Sequence, residues 1–152
     1  MRLLVVQHGK IRDRSITALR DEYSKRFRRY GRLQVVEATP RGERGIWPER
    51  ADWRILVDER GEAWSSEQLA RKLEQWSMHQ GTIAVGIGEA YGHDDATRQT
   101  ADVSWSLGKL ILPHQLAHLV VVEQLYRAAT ILAGSPYHHG SASGVRGACP
   151  SM

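Results

Sequence analysis

The sequence predicts a parallel α/β sheet with helices on both faces. Three observations point to it: short β-branched runs alternate with longer segments of helical period, Gly or Pro stops stand between them, and the opening apolar run is continuous, as in a strand buried on both sides. The 152 residues, 41% hydrophobic and 25% charged, suit one core of ordinary size and exclude a disordered chain.

Leu3-Leu4-Val5-Val6, closed by His8-Gly9, reads as the first strand. From Asp13 to Tyr30, Ile16, Leu19, Tyr23 and Phe27 recur at helical spacing before a stop at Gly31. The other face of this helix carries Arg14, Arg20, Lys25, Arg26, Arg28 and Arg29, either as a solvated surface or as a phosphate-contacting one. Leu33 to Ala38 is a second strand, and Thr39 to Asp52, rich in Gly, Pro and Arg, reads as a mobile lid or a disordered loop. Ile55 to Asp58 is a third strand, ended by Arg60-Gly61. Ser65 or Ser66 then caps a helix with Leu69, Leu73 and Trp76 on one stripe and Gly81 at its end.

Thr82 to Ile87 is a fourth strand, followed by a loop from Gly88 to Gly92 and a short helix from about Asp94 to Val103. Leu110 to Leu112, ended by Pro113, reads as the fifth strand. From Gln115 to Ala133 almost every face is apolar, so this helix needs cover on more than one side, and a partner subunit is an expected source of it. Gly134 to Met152 is rich in Gly, Ser and Ala, and residues 140–152 read as a flexible tail.

The opening apolar run is too short for a signal peptide or a membrane span, and the single Cys149 excludes a disulfide framework, so a cytoplasmic location is expected. The net charge of +4 is unevenly spread: residues 1–60 hold 15 of the 21 Lys and Arg against 9 acidic residues, whereas residues 61–152 hold 6 against 8. Seventeen of the cations are Arg, whose planar fork grips phosphate, which makes a polyanionic partner worth testing.

In open parallel sheets ligands bind beyond the carboxyl ends of the strands. There, Gly86-Ile87-Gly88-Glu89-Ala90-Tyr91-Gly92 is superficially a dinucleotide-binding turn, but it follows the fourth strand rather than the first and lacks an obvious acidic ribose ligand. A tight turn or another kind of nucleotide pocket fits it better. The pairs His114/His118 and His138/His139 lack a carboxylate or thiolate at ligand spacing, so no metal is expected.

Ser104-Trp105-Ser106-Leu107, Leu112-Pro113-His114-Gln115, Glu123-Gln124-Leu125-Tyr126-Arg127-Ala128 and Tyr137-His138 together resemble the C-terminal signature of the ribosomal RNA large subunit methyltransferase H family. The first strand with Gly9, the Glu22-Tyr23 helix, and Gly61 to Trp64 with Gln68-Leu69-Ala70 are similar too. The resemblance spans residues 1–139 and implies one SPOUT-type domain with a C-terminal trefoil knot, acting as a homodimer. It implies methyl transfer from S-adenosylmethionine to N3 of a pseudouridine in 23S ribosomal RNA, with ribosomal RNA or the assembled ribosome as partner and no metal.

Position by position, the resemblance places the cofactor at Val57, Gly88, Gly108, Lys109, Leu110, Ile111, Leu112 and Pro113. Glycines and apolar side chains suit this task, because adenine is held by backbone groups and an apolar clamp. The imide N3 must lose a proton, and the candidates to receive it or to steady the anion are Tyr137, His138 and His139, with His114 nearby; His138 and His139 are favoured.

The chain departs from the family in having Gly88-Glu89 for two adjacent glycines, His118 for an Arg, and His139 for a Lys or Arg. Its segment between strands two and three is also shorter, keeping Arg41, Arg44, Arg50 and Arg54. His118 and His139 are thereby expected to make the charge of an RNA-facing site depend on pH. Glu89 adds bulk and negative charge where backbone should approach the cofactor, so a catalytically silent or retargeted RNA-binding relative is the competing expectation.

Overall fold

The computed structural model describes residues 1–89 and 92–139. Five strands, β1 (Arg2–His8), β2 (Arg32–Ala38), β3 (Trp53–Ala63), β4 (Thr82–Ile87) and β5 (Val103–Ser106), alternate with helices α1 (Arg14–Phe27), α2 (Ser66–His79), α3 (Asp95–Gln99) and α4 (His114–Leu132). The strands form one all-parallel sheet in the order β2-β1-β4-β3-β5.

The continuous apolar runs are explained by burial on both faces. Leu3, Val5, Ile55, Ile83 and Val85 turn toward α1, α2 and α4, while their neighbours Leu4, Val6, Leu56 and Ala84 turn toward Ile46, Trp47 and Ala51. All three long helices lie on the first face; the second carries short α3, a single 3-10 turn at Gly42–Arg44, and the irregular 39–52 segment. That segment is no loose lid. Ile46 and Trp47 are buried, and both bond to Thr97 of α3, through the Ile46 N–H to Oγ1 at 3.0 Å and the Trp47 indole N–H to the carbonyl at 3.2 Å.

The fifth strand lies upstream of its predicted place. Val103 to Ser106 pairs with β3, and Trp105 stacks on Trp64 with centroids 5.8 Å apart and planes 7° apart, continuing a row through Trp76 to Trp53. Leu110 to Leu112 is irregular, with Leu110 83% and Ile111 91% exposed. The predicted 94–103 helix shrinks to Asp95–Gln99, capped by Asp94, because β5 begins at Val103. The third strand, in contrast, outruns its predicted stop. Its register against Trp105 shifts between Val57 and Glu62, so residues 58–61 bulge out and pairing resumes at Glu62. Gly61 permits this, since a β-carbon there would come within 2.5 Å of the Ser104 carbonyl carbon.

Helix α2 starts where Ser65 and Gln68 form a reciprocal capping box. Helix α4 packs between α1 and α2 and buries Val121, Val122, Leu125, Ala128 and Ala129. Much of the cover its apolar faces need therefore comes from its own chain. Leu116 and, on α1, Leu19 remain exposed.

His118 of α4 is fully buried, away from any solvent-facing surface where its charge could meet RNA. Gln7 of β1, also fully buried, spends its amide N–H groups on the carbonyls of His8, Ile87 and Gly88, so its carbonyl faces His118 Nδ1 at 2.9 Å. Nδ1 is then the protonated, donating nitrogen, and Nε2 has no partner among the described residues. Burial, reinforced by the Arg20 charge, pushes the His118 pKa down to about 4. The unfolded chain, with an ordinary imidazole, binds the extra proton first. The contribution is therefore complete above about pH 6.5 and lost as pH falls toward 4, by about 3 kcal/mol in all. Urea unfolding at stepped pH should show this decline, and His118→Gln should remove most of it; an unchanged slope in the variant would contradict the assignment.

Candidate active site

A cleft of about 380 Å³ opens beyond the carboxyl ends of β4 and β5 and at the bulge of β3, the side of an open parallel sheet on which ligands bind. One wall is the β3 bulge with Asp58 and Glu59, another the loop after β4 with Gly88, Glu89, Gly92 and His93, and the third the segment from Leu107 to Leu112 that leads into α4. Six of the eight residues expected at the cofactor, Val57, Gly88, Gly108, Leu110, Ile111 and Leu112, line it together. Lys109 and Pro113 belong to the same segment but are exposed outside the lining.

Gly108 has open space beside it. Its φ of 121° suits only glycine, Ser106 Oγ bonds both its N–H and its carbonyl, and a β-carbon there would meet no atom within 4 Å. The side chain of Glu89 runs along the rim: its carboxylate lies 3.4 Å from His8 Nε2 and packs over Gly9, while its carbonyl accepts the Gly92 N–H at 2.9 Å. Ala90 and Tyr91 lie outside the described residues, as does the expected tail 140–152 with Cys149.

Sequence reasoning missed three groups here. Arg98 of α3 pairs with Asp58 at the cleft wall; burial pushes this carboxyl up, but the Arg60 N–H and the Arg98 guanidinium outweigh it and hold it below the usual range. His93 donates from Nε2 to the Val57 carbonyl at 2.9 Å, which leaves Nδ1 a buried acceptor, and burial lowers its pKa, keeping the ring neutral. The signal for these residues was absent because strands and loops some forty positions apart meet only in the fold.

The apolar Val57, Ile87, Leu110 and Leu112, the space beside Gly108, and the carboxylates of Asp58, Glu59 and Glu89 give the lining a nucleoside needs, apolar surface for a base with polar acceptors around it. S-adenosylmethionine fits that chemistry. Among the described residues no group of three or more His, Cys, Asp or Glu side chains is arranged to hold a metal ion, and no helix is long and apolar enough to cross a membrane.

The sequence model described as predicted SPOUT methyltransferase matches residues 1–138. Curated relatives named ribosomal RNA large subunit methyltransferase H are similar over most of the chain. That of Deinococcus radiodurans is 45% identical over 126 residues, 79% of this chain and 86% of its own; that of Thermus thermophilus is 40% identical over 138 residues, 91% and 98%. The chain belongs to the ribosomal RNA large subunit methyltransferase H family of SPOUT methyltransferases. At the level of fold, it is similar to a probable methylase family protein from Haemophilus influenzae (TM-score 0.56, 12% identity, 91% of this chain and 70% of that one). A second similar structure is TrmJ from Z. mobilis (TM-score 0.50, 12% identity, 83% and 68%).

In this SPOUT chain the residues expected to do chemistry sit elsewhere than the cleft. After α4 the chain turns back, and Tyr137 packs at Glu123 and His138 at Arg127, about 13 and 20 Å along the helix from His114, which itself lines the cleft. Tyr137 O–H donates to Glu123 at 2.8 Å; burial, with hydrogen bonds to Tyr23 and Glu123, raises its pKa, so it stays a phenol. Arg127 can only donate, so His138 Nδ1 accepts from it at 2.9 Å and Nε2–H donates to Glu67 at 2.7 Å. That bond outweighs burial and holds the Glu67 carboxyl below its usual range. His139 is exposed and has no hydrogen-bond partner among the described residues.

Proposed function

We propose that this protein is a cytoplasmic, S-adenosylmethionine-dependent methyltransferase that acts as a homodimer on N3 of a pseudouridine in 23S ribosomal RNA. The observation that carries the reading is the glycine-lined cleft beyond β4 and β5 and the bulge of β3 in a chain of this family. S-adenosylmethionine bound there supplies an activated methyl group. Val57, Leu110, Ile111 and Leu112 would hold the adenine between apolar surfaces, Gly88 and Gly108 would let it approach the backbone closely, and Lys109 and Pro113 frame the turn that carries them. Asp58, fixed by Arg98, keeps the opposite wall in place.

The tail acts on the cleft of a second copy. Tyr137, His138 and His139 do not line their own chain's cleft, and a second copy would also cover the exposed Leu110, Ile111, Leu116 and Leu19. His139 receives the proton that N3 must give up, at its unprotonated ring nitrogen. His138, with both nitrogens engaged, positions the tail, and Tyr137 anchors it through Glu123. Orientation carries the transfer, and no metal is invoked. The 107–113 connection is where the family's trefoil knot would be tied. The place of Glu89 beside His8, at the rim, supports an active enzyme over a silent RNA-binding relative.

Calorimetric titration should give saturable binding of S-adenosylmethionine, and ribosomes from cells lacking the protein should gain one N3-methylpseudouridine when both are supplied. No binding at millimolar cofactor would overturn the reading.

A further inference from the structure

We propose that the groove between the 39–50 segment and the carboxyl ends of β1 and β2 is a second binding surface, which holds the phosphate backbone of the RNA strand beside the target base. The proposal rests on RNA being the substrate and assigns where, outside the cleft, that RNA is held. The groove, about 620 Å³, is lined by four cations, Lys10, Arg41, Arg44 and Arg50, against two carboxylates, Glu37 and Glu49. Glu37 is engaged by the Ile11 N–H at 3.0 Å. Glu49 meets Arg44 at 3.4 Å, but its side chain is 87% exposed, and so open a pair is readily exchanged for phosphate. Lys10, Arg41 and Arg50 are exposed and have no ion-pair partner among the described residues.

These arginines stand on a fixed base. Trp47 and Ile46 are buried beneath them and bonded to Thr97, and Gly45 fits so closely against Thr97 that no side chain could replace its hydrogen. Cations presented on an ordered backbone lose less freedom on binding than cations on a loose loop. The same short helix carries Arg98 into the cleft wall, so α3 sets the spacing between groove and cleft. The two cavities meet where Gly9, in the groove, touches Glu89, at the cleft. A carboxylate at that junction repels phosphate from the cleft and favours entry of a neutral base.

The rival basic surface is poorly placed. On α1, Arg20 and Arg26 pair with Asp21 and Glu22, and Arg28 and Arg29 follow the helix end, just before Gly31, which abuts Met1 at the amino edge of the sheet.

The test compares Arg41→Gln/Arg50→Gln with Arg28→Gln/Arg29→Gln, equal in charge removed and both at exposed positions. Anisotropy of a fluorescein-labelled 23S ribosomal RNA fragment carrying pseudouridine is followed between 50 and 200 mM KCl. The groove variant should bind several-fold more weakly, with the slope of log K against log salt reduced by about 1.4–1.8, and the α1 variant should match the unaltered protein. S-adenosylmethionine binding should be equal in all three, which also reports folding. Unchanged RNA binding in the groove variant, equal losses in both variants, or no RNA binding by the unaltered protein would overturn the proposal. RNA binding through the groove without cofactor binding would instead sink the enzyme reading and leave the groove standing.

Discussion

Replacing Trp47 with alanine is expected to destabilise the fold by about 3–5 kcal/mol and to lower its melting temperature by about 10 °C. The indole is 2% exposed, fills the second face of the sheet against Leu4, Val6, Leu56 and Ala84, and bonds to the Thr97 carbonyl. It rests directly on Gly86, where a β-carbon would come within 2.7 Å of Trp47 Cη2. Gly86→Ala should therefore destabilise the native chain but cost much less in the Trp47→Ala background, a coupling that a double-mutant cycle measures. A loss below about 1 kcal/mol for Trp47→Ala would mean that residues 39–52 form a lid after all.

Gly108→Val is expected to weaken S-adenosylmethionine binding at least about tenfold and to cost about 1–3 kcal/mol of stability, because its backbone conformation suits only glycine. Both effects share one cause, since the added side chain strains a φ of 121° and adds bulk at a position that lines the cleft. Gly134→Val separates them. Gly134 has a φ of 72° and equally empty surroundings, but it follows α4 and lies outside the cleft lining, so it should lose stability and keep affinity. Calorimetric titration of both variants checks this; undiminished affinity in Gly108→Val would move the cofactor elsewhere.

The first four strands and the three long helices were legible because each buries a run or stripe whose period matches its geometry. β5 was not. Leu110 to Leu112 has the composition of a buried strand but forms an exposed cleft wall, whereas Val103-Ser104-Trp105-Ser106 is half polar and is held by stacking on Trp64, a contact between residues 41 positions apart. The 39–52 segment has a loop's composition, and only the burial of Ile46 and Trp47 makes it a layer of the fold. At the site, Val57, Gly88 and the 108–113 segment came through the family's motif. Asp58, His93 and Arg98 did not, because their roles depend on a strand bulge that no local pattern encodes.

The tryptophans offer an optical consequence of this layering. Four of the five, Trp53, Trp64, Trp76 and Trp105, form a chain of near neighbours on the helical side, and the fifth sits alone beyond the sheet. Trp47→Phe would silence the solitary emitter while leaving the coupled quartet. Subtracting the two fluorescence signals during denaturation would then reveal whether the arginine-bearing layer melts together with the rest of the molecule or ahead of it.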